Sequence, residues 1–227
     1  MNKLKTWAAV AVLVAATGTA NAGPMTSMGT WWGTDGTDGT LKARDIDRNE
    51  VALDSTDAYF FYDTVLDLTW LRDWNAGAGT SFDNGSIATN GRTTWAYANA
   101  WVSSLDINGL TGWRLPELSG PLNYTSAYTG TDRGYNVNTA NSELAYMFYV
   151  TLGNLAFPDT SGLGPQPGWG LTNTAYFTNM QSYYYWSGTE YAPNPSNAWY
   201  FGTYDGYQSN GFKNVSAPRP PFLRSPV

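Results

Sequence analysis

Aromatic residues recur at strand spacing near the end of this chain. Tyr183-Tyr184-Tyr185-Trp186 is followed by Ala198-Trp199-Tyr200-Phe201-Gly202-Thr203-Tyr204, an Asp205-Gly206 step, and a run from Tyr207 to Phe212. Asp-Gly between two strand-like runs predicts a hairpin, because both turn residues accept positive φ and their twist matches the strands. The alternation puts Trp199, Phe201 and Thr203 on one face and Tyr200 and Tyr204 on the other. Residues 58–62 and 65–71, β-branched and aromatic around Asp63-Thr64, predict an earlier hairpin. Trp113-Arg114-Leu115-Pro116 reads as a short strand ended by proline.

Elsewhere the period changes from two to 3.6. Ala98, Trp101, Val102 and Leu105 share one helical face, with Thr93 or Thr94 as cap and Asn108-Gly109 as stop. A second helix is predicted over 142–152, where Leu144, Met147, Phe148 and Leu152 align and Gly153-Asn154 ends it. Between these elements lie polar stretches at 75–92 and 120–141 and a Pro/Gly-rich excursion at 158–170, of a length that often serves binding. Residues 23–57 form a Gly/Thr-rich N-terminal segment, with Trp31 and Trp32 expected to dock on the domain that follows over 58–215. The pattern defines one α+β domain, two helices packed on short, mostly antiparallel strands with long loops.

Charge and composition narrow the partners. Lys3, Lys5, the apolar run 7–16 and Ala20-Asn21-Ala22 form an export signal for cleavage after Ala22, and the apolar run is too short to span a membrane. Losing Lys3 and Lys5 with residues 1–22 takes the net charge from −6 to −8. Such an acidic chain lacks the basic patches that nucleic acid and anionic lipid require. Cysteine and histidine are both absent. An exported chain without disulfides is held together by burial alone, and about 200 residues suffice to bury most of the chain's surface. Thiolate nucleophiles, Ser-His-Asp arrangements and ordinary zinc sites are excluded with them.

Four segments in order carry a family resemblance: the run from Asp63 to Trp70, the helix start Thr94-Trp95-Ala96, Gly112-Trp113-Arg114-Leu115-Pro116, and Tyr185-Trp186-Ser187-Gly188-Thr189 followed by Ala198-Trp199-Tyr200. Together they resemble the bacterial family named for the C-terminal domain of the Legionella collagen-like adhesin, the Lcl C-terminal domain family, over about 59–214. The resemblance implies a C-type-lectin-like fold, and sugar binding second, since the named member adheres to sulfated polysaccharide. Two departures stand out. Relatives commonly close on a strand containing Val-Arg, some with a Pro-Glu-Pro sorting tail, whereas 216–227 is Pro-rich, and Pro218, Pro220 and Pro221 lack ladder donors, so an irregular tail is expected. Relatives also often carry a cysteine pair after the Arg-Leu-Pro motif.

For Trp113 and Arg114, which recur in the family motif, core packing and pairing with Glu117 or Glu143 outweigh ligand contact. Trp70, Trp95, Trp101 and Trp186 are assigned to the core on the same grounds. Ligand stacking falls to loop and outer-face residues: Tyr183, Tyr184, Tyr191, Tyr204 and Tyr207, with Trp169 a further candidate and with Glu190, Asn194 and Asn197 supplying polar contacts. Glu190, Asn194 and Asn197 loosely resemble the calcium-and-sugar loop of some C-type lectins, with the Glu displaced. Asp45, Asp47 and Asn49 alternate as in a helix-loop-helix calcium loop, but Glu50 and Thr56 replace the glycine and closing glutamate, so no metal is assigned. No cofactor is implied.

The leading reading is an exported, non-catalytic surface or matrix protein binding carbohydrate, neutral glycans above sulfated ones unless Arg92, Arg133 or Lys213 forms a basic patch. Tyr191 and Tyr204 are expected to serve binding with little effect on folding. A structural or protein-binding role is the alternative. A carboxylate glycoside hydrolase using Glu117, Glu143 or Glu190 is the third. Mass spectrometry of exported material is expected to find Gly23 as the first residue, and full-length chain beginning at Met1 would refute cleavage.

Overall fold

The computed structural model describes residues 40–83 and 90–215, and the backbone of 224–226. The export signal, Trp31, Trp32 and most of the Pro-rich tail lie outside the described residues.

Strands β1 (Leu41–Arg44), β2 (Glu50–Val51), β3 (Phe60–Asp63) and β4 (Leu68–Leu71) are followed by helix α1 (Trp95–Ser104) and the two-residue strands β5 (Ser126–Ala127) and β6 (Arg133–Gly134). Helix α2 (Glu143–Tyr146) runs into a π-helical turn at Met147–Thr151, and β7 (Tyr184–Glu190), β8 (Asn197–Gly202), β9 (Gln208–Phe212) and β10 (Arg224–Pro226) complete the chain. One five-stranded sheet has the order β10-β4-β3-β1-β2 and is antiparallel throughout; the other has the order β5-β6-β9-β8-β7, parallel only between β5 and β6. The architecture is therefore α+β, as the periodicity predicted.

Adjacent strand residues point to opposite faces, and here both faces are buried. Phe61 and Trp70 join Tyr185, Phe201, Leu144, Met147, Phe148 and Leu152 in one core. Their neighbours Phe60 and Leu71 join Trp186, Ala198, Ala98, Trp101, Val102 and Trp113 in a second. The β3–β4 and β7–β8 hairpins thus form a middle layer with α1 on one side and α2 on the other. This double-sided burial explains continuous aromatic runs such as Phe60-Phe61 and Tyr185-Trp186.

Several local expectations are corrected by turn chemistry. Asn108-Gly109 does not stop α1, which already ends at Ser104; it forms the tight turn of a small hairpin, Ile107 and Leu110 exchanging backbone hydrogen bonds of 3.1 and 3.3 Å, with φ of 58° and 82° at the two turn residues. Asp205-Gly206, by contrast, is not a two-residue turn. Only Gly206 has positive φ (77°), and six residues separate the paired Phe201 and Gln208. Asp205 instead folds its carboxylate back onto the Tyr207 N–H at 3.0 Å, so its side chain organises a wider connection.

The first hairpin likewise closes over 64–67, with Asp63 Oδ1 accepting from Val65 N and Leu66 N at 3.0 and 3.1 Å. Residues 113–116 run extended beside β7, where Gly188 N donates to Pro116 O at 2.8 Å, without forming a strand.

Two boundaries also move. β1 lies in the 23–57 segment expected to precede the domain, yet it pairs with β3 along four residues and buries Leu41 and Ala43. In the tail, β10 pairs with β4 despite the surrounding prolines. An edge strand is hydrogen-bonded on one side only, so proline at its end is tolerated. The predicted second helix is present, but its later half widens: Leu152 N bonds Met147 O at 2.9 Å, five residues back. Leu144, Met147, Phe148 and Leu152 are all buried, as their spacing predicted.

The tryptophans fall largely where the pattern put them. Trp70, Trp101 and Trp186 are buried, and Trp95 is half-buried with Lys213 Nζ 4.4 Å from its ring centroid. Trp113 is 3% exposed, stacks on Phe60 at 5.8 Å, and its Nε1 finds no acceptor among the described residues. Arg114 grips both Glu143 oxygens at 3.1 Å and lies 3.4 Å from Glu117, fixing the 113–118 segment to α2. Trp113→Ala is expected to destabilise by roughly 3 to 5 kcal/mol, read as a lowered midpoint in thermal melts. An unchanged midpoint would take Trp113 out of the core.

Candidate functional site: a tyrosine face on the second sheet

Strand register gathers one set of side chains on the face of the second sheet that bears Tyr200. Tyr200 lies opposite Trp186 on one side and Ser209 on the other, and Arg133 Nε reaches Ser209 Oγ at 3.4 Å. Tyr184 pairs with Gly202, where the missing side chain leaves room for its ring and for the Asp205 carboxylate. The Tyr184 ring meets Tyr183, Tyr200 and Tyr204 edge-on at 5.3, 5.0 and 5.2 Å, and its hydroxyl bonds that of Tyr204 at 2.9 Å. Arg92 lies 4.7 Å from the Tyr183 ring centroid. On the other side of Asp205, Tyr135 packs on Tyr207 at 4.8 Å and stacks in parallel with Tyr128 at 6.2 Å. Tyr128 is half exposed, and the rest of these rings are half-buried.

Asp205 sits at the centre of this surface and is itself buried. Burial raises its carboxyl above the ordinary 3.8, opposed by the Tyr207 N–H and the hydroxyls of Tyr204 and Tyr135. Tyr135 donates to it at 3.4 Å, and burial together with that carboxylate pushes the Tyr135 phenol up to about 12. The Tyr204 phenol is raised further by burial, its bond to Tyr184 and the same carboxylate. At neutral pH both hydroxyls are therefore protonated donors. Gly206 is needed beside them: φ is 77°, and a Cβ there would approach the Tyr149 hydroxyl to 2.6 Å while that hydroxyl binds Gly206 O.

The residues expected to bind ligand divide between two places. Tyr183, Tyr184, Tyr204 and Tyr207 come together on this face. Glu190, Tyr191, Asn194 and Asn197 lie at the far end of the β7–β8 hairpin, where Glu190 rather than Tyr184 begins the pairing, about 20 Å along the strand. Each has a structural partner there. Glu190 is ion-paired with Lys213, Asn194 Oδ1 caps Ser196 N at 3.2 Å, and Asn197 Nδ2 bonds Asn210 Oδ1 at 2.7 Å. Tyr191 is not the freestanding ring expected: it meets fully buried Trp199 edge-on at 5.1 Å, and Tyr124 stacks on the same indole at 5.9 Å. Removing Tyr191 therefore uncovers core.

Trp169 is partly exposed in the Pro/Gly loop and leans edge-on against Phe157 at 4.8 Å. Tyr128, Tyr135, Tyr200 and Asp205 complete the face without having been singled out as site residues. Tyr128 and Tyr135 sit in an aperiodic polar stretch, and their only sequence signal was aromatic residues among glycines.

The charged groups are also placed. Lys213 is committed to Glu190 and Trp95, which leaves Arg92 and Arg133 as the basic side chains bordering the tyrosines. Glu143 is held by Arg114 and accepts the Glu117 N–H, consistent with the structural role assigned to it. Asp45 closes the β1–β2 turn by accepting from Asp47 N and from Asn49 N and Nδ2, and Asn49 holds its carboxyl below the ordinary value. Among the described residues no group of three or more His, Cys, Asp or Glu is placed to hold a metal, and no helix is long and apolar enough to cross a membrane. Comparison with protein-family models, with curated proteins and with solved structures finds no match to this chain.

A raised carboxyl has a definite stability signature. Asp205 binds its proton more tightly folded than unfolded, so its contribution falls as pH rises from the ordinary carboxylate value through its raised one. Asp45 and Asp159 are lowered and act in the opposite sense. The difference in melting midpoint between Asp205→Asn and the parent chain is therefore expected to shift in the variant's favour as pH rises across that window. A pH-independent difference would contradict the raised value.

Proposed function

We propose that this chain is an exported, non-catalytic protein of C-type-lectin-like architecture, related to the Lcl C-terminal domain family, that binds carbohydrate at a cell surface or in a matrix. The observation that carries this reading is the gathering of Tyr128, Tyr135, Tyr183, Tyr184, Tyr200, Tyr204 and Tyr207 on one sheet face around Asp205. Half-buried phenols offer apolar faces for the C–H surface of a sugar ring and protonated hydroxyls for its oxygens. Their mutual edge-on packing limits rotation, so little ordering remains to oppose binding. The two sheets, the two short helices and the long loops support the lectin-like architecture. The arrangement of Arg114 between Glu117 and Glu143 supports the non-catalytic reading.

The site is built on neutral donors, and the acidic chain disfavours anionic polymers except where Arg92 and Arg133 offset it. Neutral glycans are therefore the preferred class. A structural role is the second reading, favoured by the extent to which the rings contact one another rather than solvent.

A glycan array with residues 23–227 separates the two. Binding to neutral glycans is expected, little changed by added salt. Tyr128→Ala and Tyr183→Ala are expected to weaken it about tenfold, with melting midpoints close to the parent. Tyr191→Ala, at the other end of the hairpin, is expected to lower the midpoint instead. Absence of binding, or binding unaffected by both face variants, favours the structural role; collapse of affinity with salt shows a charge-driven contact.

A further inference from the structure

Where β4 leaves the first sheet, a cavity of about 350 Å³ opens, lined by Tyr59, Leu71, Arg72, Asp73, Ala76 and Thr178 together with Ala58. Its size is that of a small-molecule pocket. Ala58, Leu71 and Ala76 make its apolar wall, and beside Tyr59 and Thr178 its lining carries two opposite charges adjacent in sequence.

Neither charge is spent on the other. Arg72 Nη1 donates to the carbonyl oxygens of Ser55, Thr56 and Ala58 at 3.0, 3.1 and 2.9 Å, which fixes the guanidinium plane. Its Nη2 has no hydrogen-bond partner among the described residues. The Asp73 carboxylate accepts one bond on each oxygen, from Asn75 N and from Asn179 Nδ2, both at 2.8 Å. Each oxygen keeps a further acceptor position. Among the described residues neither side chain takes part in an ion pair. Burial and the Asp73 charge raise the Tyr59 phenol, so it faces the cavity as a neutral hydroxyl.

An anion alone would be repelled by Asp73 and a cation alone by Arg72. A molecule carrying both charges on one carbon offers each side chain an opposite charge, and the arms held by these hydrogen bonds have already met much of their ordering cost. We propose that this cavity binds a small α-amino-acid zwitterion, its carboxylate on the free arm of Arg72, its ammonium on Asp73, and a short side chain against Leu71 and Ala76.

Titration of the full chain with L-alanine, followed by NMR at the Arg72 side-chain N–H groups and the Thr178 amide, tests this. Saturable shifts are expected, with acetate and methylammonium each binding at least about tenfold more weakly. Asp73→Asn is expected to abolish the preference for alanine over acetate. Ala76→Leu, which fills the cavity and removes none of the hydrogen bonds above, is expected to weaken alanine about tenfold while leaving the melting midpoint and the glycan response unchanged. Absence of saturable shifts, acetate binding as tightly as alanine, or parent-like binding by Ala76→Leu would each overturn the proposal, whatever the outcome at the tyrosine face.

Discussion

The structure depends on burying both faces of its two aromatic hairpins. A chain without cysteine has no covalent tie, and strands flanked by water on one side would have left half of Phe60, Phe61, Tyr185, Trp186 and their partners exposed. With α1 closing one side and α2 with its π-turn closing the other, each adjacent pair feeds two cores at once. Apolar burial of this kind stabilises by roughly 25 cal/mol per Å², so large rings in the middle layer give this fold most of its cohesion. The polar ties are set at its seams. Arg114 joins the 113–118 segment to α2, Lys213 joins the end of β9 to Trp95 and Glu190, and Ser142 joins the start of α2 to Gln208 at 2.6 Å.

That constraint also decides what could be read from the sequence. Both helices, the first hairpin, the aromatic strands near the end and most tryptophan positions follow from period and residue size, because burial selects for them directly. Turns were harder. Asn108-Gly109 and Asp205-Gly206 carry the same local signal, yet only the first is a tight hairpin turn. At Asp205 the side chain is captured by Tyr207 N and two phenols, a long-range preference that outweighs the dipeptide's own. The short strands β2, β5, β6 and β10 were missed for a related reason: with two or three paired residues each, they have no period to display.

The tyrosine face was half legible. Alternation along β7 and β8 puts Tyr184 and Tyr200 on one face, but only the parallel pairing of β5 with β6 brings Tyr128 and Tyr135 to the same surface. That pairing rests on Gly134, whose φ is 117° and where a Cβ would come within 1.9 Å of Ala127 O. The other half of the expected set, Glu190 to Asn197, belongs to the opposite end of the hairpin. Sequence proximity placed those residues near Tyr184, whereas a strand carries its two ends apart.

Asp205 is where the fold and the site meet. Its backbone closes the β8–β9 connection and takes the Phe157 N–H at 2.8 Å, tying the Pro/Gly-rich excursion to the sheet. Its side chain accepts from Tyr135 and adds to the burial that raises the neighbouring phenols. A neutral residue could close the turn, but it would not offer Tyr135 and Tyr204 a charged acceptor. The burial that costs the chain stability as pH rises through the raised carboxyl value also brings the Tyr135 hydroxyl onto Asp205, so the turn that departs most from its local signal is the one that gives the tyrosine face its polarity.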